Sequence, residues 1–288
     1  MKQKDMLLKK NKNNLLLLFS FFQISFSQSY LPSLQINFDE LNLSSTFIPE
    51  VIASSNVQLI LLDKQNHRLA RMVDDSLHLV GGFGSSKYSL FDPVDIIADQ
   101  LDIFVLDQST GRITRLDSRL NFIQFFDFTL DESRYPTVFS IDSRRNIYFY
   151  SPDEDIIYKT QSLTSKFDKF VDLNLNPSTA NCLKDISIDQ KDQIGIIFNC
   201  NNELFIYNRA GRLQRKFKIK IKNPLKAFSI NNKWSIINTE GQIQFFDSSV
   251  INLEISENAI IDLYMDQNQL YVLTKTEIFI FDTYSFSR

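Results

Sequence analysis

Hydrophobic and polar positions alternate in four short runs between residues 81 and 128. The runs cover residues 94–98, 103–106, 112–116 and 120–128. β-Branched and aromatic residues dominate the runs, and Asp, Asn, Ser and Gly separate them. This arrangement is typical of strands joined by tight turns. It predicts a four-stranded antiparallel meander.

The same pattern recurs along the chain at an interval of about 44 residues, in the range of repeat architectures. Prolines open equivalent units at Pro49, Pro93, Pro136 and Pro224, and a turn near Asn181 fills the gap. The further predicted strands are 51–54 and 57–62; 138–142, 147–150 and 155–159; 185–189, 194–198, 203–207 and 212–221; 226–230, 234–238 and 242–246; and 260–265, 269–273 and 277–281. The chain therefore contains six units.

Two of these units carry a more specific pattern. The motifs are Gly82-Phe83-Gly84, Pro93-Val94-Asp95-Ile96, Val105-Leu106-Asp107 and Gly111-Arg112-Ile113, and, one unit earlier, Leu62-Asp63, Asn66-His67-Arg68-Leu69 and Arg71. They resemble the NHL repeat, the unit of a family of six-bladed β-propellers. The resemblance implies an all-β fold, a six-bladed β-propeller of four-stranded antiparallel blades.

The sixth unit is one strand short. Residues 34–38 alternate apolar and polar side chains, as a half-buried strand does, and belong to no unit of their own. We expect them to supply the outer strand of the sixth blade and to close the ring. Closure avoids unpaired strand edges and an uncovered apolar face.

Residues 1–27 have the pattern of a cleaved secretory signal. Five lysines precede an apolar stretch from Leu15 to Phe26, and Ser25-Phe26-Ser27 offers small residues for cleavage. An uncleaved anchor is the alternative, but the stretch is shorter than the roughly 20 residues that span a bilayer. We expect an exported protein, periplasmic or extracellular, with one domain at 28–288, no transmembrane segment in the mature chain, and a monomeric state.

The charge of the mature chain argues against one class of partner. Removing residues 1–27 takes away five lysines and one aspartate, leaving 26 basic and 33 acidic side chains, a net charge of −7. Phosphate neutralisation supplies most nucleic-acid affinity, so no nucleic-acid partner is expected. Some NHL propellers bind RNA, and this charge balance does not carry that role over.

Few residues point to catalysis. His67 and His78 lie in one unit without further ligands at metal-binding spacing. The amidating lyases, an enzymatic branch of the NHL family, use histidine-bound zinc, and this sequence lacks the necessary histidines. No Gly-x-Ser-x-Gly motif is present. We predict no catalytic, metal or cofactor-binding residue, with a carboxylate-held divalent cation as the alternative.

Aspartates recur at two repeat positions. Asp95, Asp185 and Asp262 lie in predicted first strands, whose side chains can point into the central channel, where they could hold a cation or a basic ligand. Turn capping is the equal alternative for these three. Asp63 and Asp107 follow second strands, where capping of backbone N–H groups is the favoured interpretation.

Alternating lysines mark the predicted strand 212–221. Lys216, Lys218, Lys220 and Lys222 would share one face, opposite Phe217, Ile219 and Ile221. The lysines could bind an anionic partner such as an acidic envelope polymer. The favoured interpretation is an outer strand protected against edge-to-edge aggregation.

The two cysteines, Cys182 and Cys200, fall at the open end of the hairpin predicted from strands 185–189 and 194–198. A turn centred on Lys191 places them opposite each other, close enough for a bridge after a small adjustment. An oxidising compartment would preserve the bond. Two unpaired thiols are the alternative.

The pattern as a whole favours a non-catalytic binding or scaffold module for a protein or a small envelope ligand. The alternative is a hydrolase or lyase that works at the channel mouth with a divalent cation.

Overall fold

The computed structural model describes residues 29–41, 47–55, 58–73, 76–84, 86–99, 101–128, 135–176, 178–255, 259–266 and 268–287. Within them the chain forms six sheets and almost no helix. The helical segments are single 3₁₀ turns at Phe38–Glu40, Leu173–Leu175 and Thr283–Ser287.

The strands are numbered β1 to β25 in chain order. Two lie before the first sheet: β1 Ser29–Tyr30 and β2 Leu34–Asn37. The first sheet has β3 Val51–Ser55, β4 Gln58–Asp63, β5 Arg68–Val73 and β6 Ser76–Gly81, and the second has β7 Pro93–Ala98, β8 Asp102–Asp107, β9 Arg112–Asp117 and β10 Phe122–Asp127. The third has β11 Val138–Ile141, β12 Ile147–Ser151, β13 Ile156–Thr160 and β14 Phe167–Asp172, and the fourth has β15 Leu183–Ile188, β16 Ile194–Phe198, β17 Glu203–Tyr207 and β18 Leu213–Lys218. The fifth has β19 Pro224–Ile230, β20 Lys233–Asn238, β21 Gln242–Phe245 and β22 Val250–Leu253, and the sixth has β23 Asp262–Asp266, β24 Gln269–Leu273 and β25 Glu277–Asp282.

Consecutive strands within each sheet pair antiparallel, and each sheet is one blade. The predicted six-bladed β-propeller of four-stranded antiparallel blades is confirmed. Each of six hydrophobic clusters combines side chains from two adjacent blades, including one that joins the sixth blade to the first. Both faces of an inner strand are therefore buried, which explains continuous apolar runs such as Ile103–Leu106.

The N-terminal segment contributes to two blades. Strand β2 pairs antiparallel with β25, from Leu34 opposite Ile280 to Asn37 opposite Glu277, and is the fourth strand of the sixth blade. This is the pairing expected from the alternation at 34–38. Strand β1 was not predicted: it pairs in parallel with β22 and gives the fifth blade a fifth strand.

The fourth blade departs from its predicted length. Its outer strand ends at Lys218, so Lys220 and Lys222 lie beyond the strand. The strand begins at Leu213, so the prediction of one strand over 212–221 was wrong at both ends. Ile219 and Ile221 are nevertheless buried, because they pack into the cluster between the fourth and fifth blades.

Cys182 and Cys200 form a disulfide with their Cα atoms 5.6 Å apart. The hairpin register holds from Asp185 opposite Ile197 to Ile188 opposite Ile194, as the turn centred on Lys191 requires. A bulge between Leu183 and Asp185 then shifts the pairing by one residue. The two cysteines are thus offset rather than directly opposed, and they still come within bridging distance.

The predicted secretory signal, residues 1–27, lies outside the described residues. Within the described part of the chain, no helix is long and apolar enough to cross a membrane.

Candidate functional site

The first strands of the blades line the centre of the ring. A cavity of about 270 Å³ there is bordered by residues of β3, β7, β11, β15, β19 and β23. Asp95 on β7, Asp185 on β15 and Lys226 on β19 are among its lining residues. Asp262 on β23 joins them by its ion pair with Lys226. Four charged side chains from four blades therefore meet at the channel.

Lys226 is held by the sixth blade. Its Nζ donates to Asp262 Oδ1 at 3.0 Å and to the carbonyl oxygen of Leu263 at 3.3 Å. The other oxygen of Asp262 accepts from the backbone N–H of Ile52 at 2.9 Å, on the first blade. Asp262 thus connects three blades and satisfies a buried N–H as well as a lysine.

Asp185 has a similar bridging position. Its Oδ2 accepts from Ser187 Oγ at 2.6 Å and from the backbone N–H of Ala227 at 3.3 Å on the next blade. Burial raises the pKa of Asp185, while Lys226 and these hydrogen bonds act in the opposite direction. The carboxyl group therefore binds a proton more readily than a carboxyl group in water.

Asp95 has fewer partners. The hydrogen bond described for its side chain comes from the N–H of the adjacent Ile96, at 2.9 Å. Burial raises its pKa from 3.8 to about 7; Lys226 and Lys64 oppose the rise, and the charges of Asp262 and Asp185 add to it. Asp95 consequently changes its protonation near neutral pH.

Lys226 remains charged. Burial alone would lower its pKa, but the charges of Asp262, Asp185 and Asp95 outweigh burial and raise the pKa above 10.5. One ammonium group therefore faces three carboxyl groups, and the channel has an excess of negative charge whenever Asp95 is ionised. Such a wall attracts cations and repels anions.

The sequence analysis singled out Asp95, Asp185 and Asp262 and missed Lys226. The signal was present: Lys226 follows Pro224 by two residues, as Asp95 follows Pro93. Comparison of all six equivalent positions would have found the lysine.

The second aspartate position caps turns, as expected. Asp63 is fully buried and accepts from the backbone N–H groups of Ile48 and Asn66. Asp107 accepts from the N–H groups of Phe91 and Asp92 at 2.6 and 3.0 Å. Both side chains tie the entry of a first strand to the turn after its second strand, and the capping interpretation is confirmed.

The two histidines lie apart from the channel cluster. His67 occupies a turn with φ 55° and packs its ring against Phe83, and His78 lies on β6 opposite Arg71. Within the described ranges, no three His, Cys, Asp or Glu side chains are grouped so that they could hold a metal ion.

The lysines of the fourth blade are exposed, and two have local partners. Lys216 Nζ lies 4.2 Å from the ring centre of Phe205, and Lys218 Nζ donates to the carbonyl oxygen of Asn201 at 2.6 Å. Lys220 and Lys222 continue beyond β18. The four do not form one flat strand face.

The fold is similar to those of solved propellers. Virginiamycin B lyase from Staphylococcus aureus has a TM-score of 0.59 at 12% identity, with 84% of this chain and 81% of that chain covered. A gluconolactonase from Xanthomonas campestris has 0.63 at 10%, with 85% and 88% covered. The extracellular domain of a putative hybrid two-component system from B. thetaiotaomicron has 0.57 at 14%, with 84% and 34% covered.

Identities this low establish the propeller fold and leave the function open, because one fold supports many functions. No family model matches the sequence, and no curated protein is significantly similar to it.

Proposed function

We propose that this protein is an exported, NHL-like β-propeller that binds a ligand or a protein without catalysing a reaction. Its channel receives a positively charged group. The observation that carries the proposal is the excess of carboxyl groups over lysine at the cavity, where Asp95, Asp185 and Lys226 line the wall and Asp262 pairs with Lys226.

Asp95 is the group that such a ligand would meet. Asp262 already binds Lys226, and Asp185 accepts from Ser187 and Ala227. Among the described residues, Asp95 accepts one hydrogen bond, from a backbone N–H group, and burial disfavours its charged form. An incoming cation would offset that cost by favouring the carboxylate. The cavity of about 270 Å³ suits a small group, such as a primary amine or the end of a basic side chain.

A thermal-shift titration of the mature protein with n-butylammonium tests this proposal. Saturable binding at about ten times Kd stabilises the fold by about 1.4 kcal/mol, which is an increase of a few degrees in Tm. Neutral n-butanol is the matched control for the apolar part, and sodium chloride controls for ionic strength. Asp95→Asn should remove most of the shift. An equal shift with n-butanol, or an unchanged shift in Asp95→Asn, would contradict cation recognition in the channel.

One observation favours an enzyme as the second candidate. A carboxyl group with a pKa of about 7 can accept or donate a proton near neutral pH, as a general base or acid does. Similar propellers include a lyase and a gluconolactonase. Metal analysis of the purified mature protein separates the two candidates. Stoichiometric calcium or zinc would support a hydrolase or lyase with a cation held by carboxylates.

The NHL-like assignment is supported by Asp63 and Asp107, which have the same structural role: each caps a turn at the same point of successive blades. Export is supported by the pattern at 1–27 and by the disulfide between Cys182 and Cys200, since disulfides persist in oxidising compartments. Intact-mass measurement of protein made with its own leader should place the mature N-terminus near Gln28. A retained Met1 in the exported form would contradict this.

A further inference from the structure

A second cavity lies between the fourth and fifth blades, separate from the channel residues. It has a volume of about 450 Å³, within the range of small-ligand sites. Its apolar lining comes from Ile206 on β17, Phe217 on β18, Trp234 on β20 and Phe246 after β21. We call it the Trp234 groove. The rings of Phe217 and Phe246 are 4.0 Å apart and make one aromatic wall.

The charged residues of the Trp234 groove are all basic. Lys191, Arg215 and Lys233 line it, each is exposed, and no acidic side chain is among the lining residues. Arg215 lies over the ring of Phe246, with its guanidinium carbon 5.8 Å from the ring centre. Asp247 lies beside the groove. Its carboxylate accepts hydrogen bonds from the N–H and the hydroxyl group of Ser249, and these bonds, together with the charge of Lys233, lower the pKa of Asp247. This surface therefore carries a local excess of positive charge on a protein that is acidic as a whole, and it favours anionic ligands.

Trp234 adds an unused donor. Its indole Nε1 is buried and has no hydrogen-bond partner among the described residues. The opposite edge of the ring lies against Gly195, where a Cβ atom would come within 2.6 Å of the ring, so the N–H points away from that glycine. An unpaired buried N–H costs about 1–3 kcal/mol.

From these features we infer that the Trp234 groove binds a small aromatic carboxylate. The planar body packs against Phe217, Phe246 and Trp234, because offset or edge-to-face aromatic contacts stabilise such pairs. The carboxylate binds the guanidinium of Arg215, whose planar fork matches two carboxylate oxygens. Lys191 and Lys233 add long-range attraction. Lys216 and Lys218, two of the four lysines for which the sequence suggested an anionic partner, lie on the opposite face of β18.

The molecule contains its own reporter for this site. Trp234 is the single tryptophan in the sequence, so its intrinsic fluorescence responds to occupation of the groove. Benzoate is the probe, benzamide is the neutral matched control, and benzylamine is the cationic one. We expect a saturable change with benzoate that weakens as salt concentration rises, and no saturable change with the two controls.

Variants locate the binding. Arg215→Gln should weaken benzoate affinity by about tenfold or more, since charge-assisted hydrogen bonds are strong, and Lys233→Gln should weaken it less. Lys218→Gln removes a charge from the other face of the same strand and should leave the affinity unchanged. Circular dichroism and Tm verify that each variant is folded. The inference is overturned by an equal response to benzamide, by an Arg215→Gln affinity equal to that of the unaltered protein, or by no saturable change with benzoate at all.

Discussion

The pKa of Asp95 leads to a prediction about stability and pH. Asp95→Asn keeps the acceptor for the Ile96 N–H and replaces the carboxyl group by a neutral group of the same shape. Each pKa unit corresponds to about 1.4 kcal/mol. The rise from 3.8 to about 7 therefore sets an upper limit of about 4 kcal/mol on the cost of ionising Asp95 in the fold. The side chain is partly exposed, and water access reduces the expected effect to about 1–2 kcal/mol.

The sign follows from proton linkage. The folded state binds the Asp95 proton more tightly than the unfolded chain does, so the protonated group contributes stability that is fully present below the unfolded pKa of 3.8. That contribution is lost as the pH rises through about 7. Asn mimics the protonated form at every pH. The variant should match the unaltered protein near pH 4 and become more stable by about 1–2 kcal/mol above roughly pH 8.

Urea unfolding at a series of pH values measures this difference directly, with the slope of the transition used to check that the unfolded states are comparable. Asp153→Asn, at an exposed carboxyl group on the turn after β12, is the control and should change stability by less than about 0.5 kcal/mol at each pH. If Asp95→Asn is increasingly destabilised as the pH rises, the ion-pair attraction to Lys226 dominates and the reasoning about burial is refuted.

Three further predictions concern the scaffold. A chain that begins at residue 44 loses the fourth strand of the sixth blade, the fifth strand of the fifth blade and three buried apolar side chains. It should unfold with a broader transition and at least about 3 kcal/mol less stability in calorimetry. An unchanged melting transition would show that the N-terminal segment does not stabilise the ring. Replacing Cys182 and Cys200 together by Ser should lower the unfolding free energy by about 3 kcal/mol under non-reducing conditions, since the bridge closes a loop with a sequence separation of 18. Equal stability of the unaltered protein with and without reductant would contradict this stabilising role of the disulfide. Gly195→Ala should displace the indole of Trp234 and cost about 1–3 kcal/mol, with a shift in tryptophan emission, whereas unchanged emission would contradict the close approach.

Much of this fold could be read from short-range patterns. Strand positions follow from alternation, and turn positions follow from residues such as Asp63 and Asp107, whose side chains accept hydrogen bonds from backbone N–H groups nearby. The sequence contains 7 glycines, and residues such as Asp192 and Asn202 also adopt the left-handed conformation in turns. The hairpin register counted from the turn was sufficient to predict that the two cysteines lie close together, although a bulge shifts their pairing by one residue.

The sites depended on long-range contacts. Nothing local to Ser29–Tyr30 indicates that it pairs in parallel with β22, since a two-residue strand carries almost no periodicity. Lys226 lies among three carboxyl groups only because four blades converge on the channel, and its charge and theirs are set by that convergence. Arg215 likewise meets Phe246 and Trp234 only when the fourth and fifth blades pack together. The sequence determined the strands, the turns and the number of blades through interactions between near neighbours, whereas burial and charge at each site were decided by the closed ring.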